Sequence, residues 1–247
     1  MDFTNKNVVI TGGSTGIGLA TAEEFIKAGA NVWITGRNIS NLEIAERHIN
    51  HSRLKTVVSD TSTLEGISKL EKVIDDAGIK LDVLFLNAGI ANFAPIEFAT
   101  EHDFDTQFNT NVKGAYFTLQ KMIPYLKKGA SVLFTSSTNA TASAMNSSIY
   151  SATKAALNKI AQIAANELAD RKIRVNIVSP GPTETPGLTN AVPHEAKAYL
   201  ESAVALQRLG KPEEIAKTVM FLASENASFI SGSEFLVDGG FINYFLK

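Results

Sequence analysis

Tyr150 and Lys154, four residues apart in the stretch YSATK, are the side chains of this sequence best suited to moving a proton. Ile149, Ala152, Ala156, Ile160 and Ile163 carry helical periodicity around them, so positions 150 and 154 fall on one helix face. A phenol titrates near 10 and is a poor base at neutral pH, but an adjacent ammonium favours the phenolate. Lowering the phenol by about three pH units takes on the order of 4 kcal/mol of differential stabilisation. Tyr-x-x-x-Lys alone also describes many solvated helix faces, so its companions matter. Ser136-Ser137 closes the apolar run ASVLFT, with Ser137 thirteen residues before Tyr150. Asn87-Ala88-Gly89 follows another run, DVLFL, and Asn111 opens NVKG in the next helical segment.

A second cluster concerns phosphate. Gly12, Gly13, Ser14, Thr15, Gly16, Ile17 and Gly18 follow the apolar stretch NVVIT and open a helical pattern. In that setting glycines let backbone amides approach a phosphate near the positive end of a helix. The spacing from Gly12, Gly16 and Gly18 is G-x-x-x-G-x-G, which also suits a glycine-rich turn packed tightly on a sheet. Strand-to-helix context favours a dinucleotide site. Where a second strand ends, an NAD site commonly places a carboxylate for the ribose 2′-hydroxyl. Here the chain reads Thr35-Gly36-Arg37-Asn38. A carboxylate would repel a 2′-phosphate, whereas Arg37 offers it charge-assisted hydrogen bonds. The expected cofactor is NADP (NADPH) in preference to NAD, and its nicotinamide charge would join Lys154 in lowering the tyrosine.

The elements that must position these groups can be read from the apolar runs. Strands are expected at 7–11, 31–35, 55–59, 82–86, 130–135, 173–178 and 234–237, with helices near 16–28, 40–49, 63–77, 101–126, 149–170 and 212–223. Most strands are continuously apolar, as in a parallel sheet covered on both faces. Their alternation predicts an α/β fold: a Rossmann-type, doubly wound, mainly parallel seven-stranded sheet in three α/β/α layers. Neither repeats nor low-complexity linkers divide the 247 residues, so 1–247 reads as one domain. From Pro180 to about Gly210 no strand is expected. Residues 183–210 instead read as a substrate-covering flap with a short helix around 194–204.

Composition narrows the functional classes. A net charge of −2 argues against a polyanion-binding surface and hence against nucleic-acid partners. With no cysteine, disulfides, thiolate chemistry and Cys-based zinc sites are excluded. The stretch MDFTNKNVVI has no signal-peptide pattern and no apolar run suits a membrane span, so a soluble cytoplasmic protein is expected. His48, His51, His102 and His194 read as solvated side chains rather than ligands, and no metal is expected.

Together the glycine loop, Asn87-Ala88-Gly89, Asn111, Ser137, the Tyr150/Lys154 pair and the late VDGG at 237–240 resemble the short-chain dehydrogenase/reductase family, in its compact single-domain branch. The resemblance runs from Asn7 to about Gly240. It implies a catalytic tetrad of Asn111, Ser137, Tyr150 and Lys154. Tyr150 would give its proton to a carbonyl oxygen, Ser137 would hydrogen-bond that oxygen, Lys154 would hold the cofactor ribose, and Asn111 would fix a water on the proton path. Ser136 is the rival serine. The resemblance further implies Asp60 and Thr61 at the adenine, Asn87, Ala88 and Gly89 beneath its ribose, and Pro180, Gly181, Thr183 and Thr185 at the nicotinamide. Asp60 has the alternative of capping a helix, and Asn87 of satisfying a turn.

Ala91, Phe93, Ala144, Met145, Leu188 and Val192 are the expected pocket wall. Their apolar character suits a hydrophobic ketone or keto ester reduced to a secondary alcohol. Two alternatives stand beside this carbonyl reductase reading. One is a 3-oxoacyl-[acyl-carrier-protein] reductase, with Lys113, Lys121, Lys127 and Lys128 as either a docking surface for an acidic carrier or solubilising charges. The other is a redox sensor that binds NADP without chemistry. The resemblance implies a homotetramer built on 101–126, 149–170 and the C-terminal strand region, to which the apolar tail GGFINYFLK could add a contact.

Overall fold

The computed structural model describes residues 1–192 and 196–243. Its strands are β1 (Asn7–Ile10), β2 (Asn31–Gly36), β3 (Leu54–Val58), β4 (Leu81–Leu86), β5 (Leu126–Thr135), β6 (Arg174–Pro180) and β7 (Glu234–Val237). Among the described residues its α-helices are α1 (Gly16–Lys27), α2 (Ile39–Ile49), α3 (Leu64–Asp76), α4 (Glu101–Gln107), α5 (Gly114–Met122), α6 (Ser148–Glu167), α7 (Pro186–Ala191), α8 (Ala196–Ala203) and α9 (Pro212–Ala223). The strands form one sheet in the order β3-β2-β1-β4-β5-β6-β7, with every neighbouring pair parallel.

Continuously apolar strands follow from burial on both faces. Val9 and Leu84 join one core with Leu70 of α3, Leu119 of α5 and Leu157 of α6. Their chain neighbours Val8, Ile10, Val83 and Phe85 point to the opposite core with Phe25 of α1, Leu42 of α2 and Val219 of α9. Each large side chain sealed in this way contributes about 1.5–3 kcal/mol. From the central pair β1 and β4, the order departs to β2 and β3 on one side and to β5, β6 and β7 on the other. The crevice beyond the carboxyl ends at that reversal is where an open α/β sheet collects its ligand.

The structure departs from the expected elements in two places. The single helix expected over 101–126 is α4, a π turn at Phe108–Lys113, α5, and a 3₁₀ turn at Ile123–Tyr125 carrying Pro124. Chain direction then changes early: β5 begins at Leu126 rather than 130, through the exposed Lys127, Lys128 and Gly129, whose polarity hides it. In the second place, α7 begins at Pro186 behind Thr185, whose Oγ1 accepts from the Leu188 amide at 3.1 Å, where only a helix around 194–204 was expected. That expected helix is α8; Pro193, His194 and Glu195 lie outside the described residues. The ends of the 183–210 segment meet in a parallel bridge between Thr183 and Gly210, so the excursion leaves and rejoins the sheet at one point. No helix among the described residues is long and apolar enough to cross a membrane.

Candidate active site

The glycine loop turns out to serve the fold as well as any ligand. A side chain at Gly12 would stand 2.9 Å from the Ala88 Cα, and one at Gly13 would stand 2.6 Å from the Ile34 Cβ. One at Gly18 would overlap the carbonyl oxygen of Gly12. Thr11 Oγ1 accepts from the amides of Asn87 and Ala88, while Asn87 Nδ2 donates to the carbonyls of Thr11 and Gly12. Thr135 Oγ1 donates to Asn87 Oδ1 at 3.0 Å. The expected role of Asn87 beneath the ribose therefore competes with its alternative, and its side chain is engaged in holding the loop.

What the loop presents to the crevice is the start of α1. Gly16 has φ +54°, a left-handed conformation that admits glycine readily. Thr15 occupies the N-cap position without a side-chain bond to the helix, and no acidic residue lies in the first turn. The first amides of α1 consequently keep their donors and their partial positive charge for an anion. This uncapped turn fits the phosphates of a dinucleotide.

At the end of β2, Gly36 brings the chain close to Ser14: a Cβ there would stand 3.1 Å from Ser14 Oγ. Arg37 follows, exposed and without an acidic partner among the described residues. Asn38 spends its side-chain oxygen capping α2, accepting from the Asn41 amide at 3.2 Å. Asp60 Oδ1 accepts from the Ser62 amide and hydroxyl at 2.9 and 2.7 Å, and it is Thr63, not Asp60, that caps α3. Thr61 is buried, and its carbonyl packs where a side chain at Gly114 would stand.

The tetrad expected from the sequence converges beyond β4 and β5. The Tyr150 phenol, on the first turn of α6, shares a hydrogen bond with Ser137, whose Oγ also accepts from the Asn139 amide at 3.2 Å. Ser136 is buried and turns its hydroxyl to the Lys154 carbonyl at 3.4 Å, so geometry favours Ser137 over its rival. Lys154 is 3% exposed. Its Nζ lies 5.6 Å from the centre of the Tyr150 ring and donates to the Thr135 carbonyl at 2.9 Å. An ammonium has three donors, so two others can face the crevice, where a side chain at Gly89 would stand 3.3 Å away.

Asn111 is fully buried in the π turn. Its Oδ1 accepts from the Ile90 amide at 2.8 Å, and its Nδ2 donates to the Ile90 carbonyl at 2.9 Å and to Thr153 Oγ1 at 3.0 Å. Thr153 in turn donates to the Tyr150 carbonyl at 2.7 Å, which ties the π turn to the backbone of the tyrosine. Only one lone pair of Oδ1 is left for the water expected there.

Electrostatics differ from expectation in one respect. Burial pushes the Tyr150 phenol above its ordinary value, and its hydrogen bond to Ser137 only partly opposes this. Lys154 does not lower it, because burial also brings the lysine down, to about 8. In this state Tyr150 is a neutral phenol, the form that donates a proton.

Comparison with known proteins agrees with this geometry. Residues 12–242 match the family model described as Enoyl-(Acyl carrier protein) reductase. The chain is 34% identical over 248 residues to the 3-oxoacyl-[acyl-carrier-protein] reductase of Thermotoga maritima, covering 98% of this chain and 100% of that one. Among solved structures, a short chain dehydrogenase from Burkholderia cenocepacia in complex with NADP is similar with a TM-score of 0.91 at 30% identity, covering 98% and 100% of the two chains. A 3-ketoacyl-(acyl-carrier-protein) reductase from Brucella melitensis complexed with NADH has a TM-score of 0.90 at 31% identity, covering 97% and 99%. The chain belongs to the short-chain dehydrogenase/reductase family.

As a short-chain dehydrogenase/reductase, the protein is an oxidoreductase with a nicotinamide-binding Rossmann-type fold, and its remaining expected site residues can be placed. Phe93 meets the Tyr150 ring edge to face, with centres 5.7 Å apart. Ala144 and Met145 line a groove of about 440 Å³ with Ile96, Asn139 and Ala152, but Met145 is 89% exposed. Leu188 and Val192 are half-buried on and after α7, and Ala91 is half-buried in the loop after β4. Gly181 donates its amide to Val237 at 3.1 Å, and Thr183 Oγ1 donates to the Gly181 carbonyl at 2.9 Å, so Pro180, Gly181 and Thr183 continue the sheet toward the flap. Thr185 spends its hydroxyl on α7 and stands against Gly16, 3.2 Å from where that residue's side chain would be. The largest depression, about 670 Å³, is elsewhere, among Gly129, Asn166, Arg174 and Gly232. His48 contacts Glu23 at 2.9 Å, and no metal-binding group of three acidic, His or Cys side chains forms among the described residues. Tyr244–Lys247 of the apolar tail lie outside the described residues.

Sequence reading overlooked Gln107, which is 1% exposed on α4. Its Oε1 accepts from the Asn92 amide at 3.1 Å and its Nε2 donates to the Asn92 carbonyl at 3.2 Å. The available signal was Asp103, Gln107 and Asn111, polar at every fourth position between Phe104, Phe108 and Val112.

Proposed function

We propose that this enzyme reduces a hydrophobic ketone or keto ester to a secondary alcohol with NADPH, using Tyr150 as general acid. The observation that carries the reading is the buried, neutral phenol held between Ser137 and Phe93 beside Lys154. The contribution of the bound cofactor is a hydride for the carbonyl carbon. Tyr150 gives its proton to the carbonyl oxygen, and Ser137 supplies a positioned hydrogen bond as negative charge grows there. Lys154 then stabilises the phenolate and keeps donors for the cofactor ribose. Asn111 holds Ile90 and, through Thr153, the backbone of Tyr150.

Cofactor preference rests on the end of β2. Arg37 is exposed, free of an acidic partner among the described residues, and no carboxylate stands beside it to repel a 2′-phosphate. Relatives solved with NADP and with NADH exist, so this position rather than the family supports NADP. We further assign residues 1–247 to one domain with a flap over 183–210, a small-molecule carbonyl substrate, a cytoplasmic setting and a homotetramer.

The similarity to the Thermotoga maritima reductase favours a second substrate, a 3-oxoacyl group on an acyl carrier protein. The lysines weighed for docking argue less for it. Lys121 is paired with Glu71 at 2.9 Å and Lys127 with Asp82 at 2.7 Å. Lys127 and Lys128 begin β5, whose other end leads to Ser137, about 30 Å away at 3.3 Å per residue. A panel of prochiral ketones and 3-oxoacyl-carrier substrates, each with NADPH and NADH, tests both. Tyr150→Phe should lose at least about 1,000-fold in kcat and bind NADPH with unchanged Kd. Absence of turnover by folded wild type with every substrate would favour the non-catalytic NADP sensor.

A further inference from the structure

The loop from Gly89 to Phe93 has no strand to pair with, yet two of its residues have both backbone polar groups satisfied. Asn111 bonds the amide and carbonyl of Ile90, and Gln107 bonds the amide and carbonyl of Asn92. Each side-chain amide imitates a peptide group of a neighbouring strand. The spacings agree, because four helical residues rise about 6 Å and two extended residues span about 6.6 Å. Pairing is antiparallel: the loop advances from 90 to 92 as the helix retreats from 111 to 107. Asp103, one step further, accepts from Asn92 Nδ2 at 2.6 Å.

Helix geometry alone would not keep this row in line. Four residues of α-helix overshoot a full circle by about 40°. The π turn at Phe108–Lys113 is wider and rotates less per residue, so the step from Gln107 to Asn111 swings back. The clamp ends where it matters, because the next residue is Phe93, set edge to face on Tyr150. Ala94 is held too, its amide donating to the Asn146 carbonyl at 2.8 Å.

We propose that Gln107 is a positioning residue for the reaction: by clamping Asn92 it sets Phe93 against Tyr150 and fixes how a bound ketone faces the phenol. This rests on the reductase reading above. Phe93 is the wall that selects the product enantiomer, and Gln107 acts through it.

The test is Gln107→Met, which keeps volume and removes both bonds; Asn92 is exposed, so water can take over its freed groups. In cofactor-free protein, amide hydrogen exchange at Asn92 should rise at least tenfold, with β1 unchanged. With acetophenone and NADPH the variant should lose enantiomeric excess and about tenfold in kcat/KM, with the NADPH Kd within twofold of wild type. Adding Phe93→Leu to it should cost less than twofold more, although Phe93→Leu alone costs about as much as Gln107→Met. Unchanged exchange at Asn92 overturns the clamp. Faster exchange with unchanged enantiomeric excess and kcat/KM overturns the link to Phe93. Wild type inert toward every ketone with either nicotinamide overturns the reductase reading and the positioning role together, while exchange still reports on the clamp.

Discussion

Lys154→Met should make the protein more stable and inactive. The ammonium is 3% exposed, and burial lowers it from the ordinary lysine value of 10.5 to about 8. At 1.36 kcal/mol per pH unit, holding it charged at pH 7 costs about 3 kcal/mol relative to the unfolded chain. Methionine keeps the apolar stem and removes that cost, but it also removes the donor to the Thr135 carbonyl. A lost buried hydrogen bond returns about 1–3 kcal/mol, leaving the variant ahead by about 1 kcal/mol. The sign with pH follows from linkage. Between about 8 and 10.5 the unfolded chain binds the proton that the folded chain has released, so wild-type stability rises with pH there. The advantage of the variant is therefore full below pH 8 and shrinks by about 2–3 kcal/mol towards pH 10. Urea unfolding of cofactor-free protein at fixed concentration, at pH 7 and pH 10, measures both. A difference that does not change between the two pH values would refute the argument, because the buried ammonium would then carry no desolvation cost.

Arg37→Ala should weaken NADPH by about 10- to 100-fold, the worth of a charge-assisted hydrogen bond at 1.5–3 kcal/mol, and NADH by less than about threefold; titration of each cofactor by fluorescence checks the ratio. Gly18→Ala places a methyl into the Gly12 carbonyl and 2.7 Å from Asn87 Nδ2. It should lower stability by about 1–3 kcal/mol and weaken both nicotinamides equally, as calorimetry and the same titration would read.

Most strands were legible because a parallel sheet buried on both faces writes itself as unbroken apolar runs such as NVVI and LDVLFL. The glycine loop and the Ser137, Tyr150 and Lys154 positions were legible because their chemistry needs particular residue types near strand ends. Three features were not. The start of β5 is polar and exposed. The helix over 101–126 keeps its apolar rhythm through Phe104, Phe108 and Ala115, and that rhythm passes through a π turn without a visible break. Gln107 and Asn87 work on backbone groups distant in sequence, which composition does not reveal. The direction of the Tyr150 shift depends on burial against charge, a balance that only packing decides.

The π turn also makes chain length critical between Gln107 and Gly114. Removing one residue there would let the segment relax to an ordinary α-helix and turn everything after it by about 100°. Ala115, Leu119 and Met122 would then leave the core, or Asn111 would leave Ile90. Engineering that adds or deletes single residues should find this helix unforgiving and the exposed Lys127–Gly129 stretch permissive, although both lie between the same two strands.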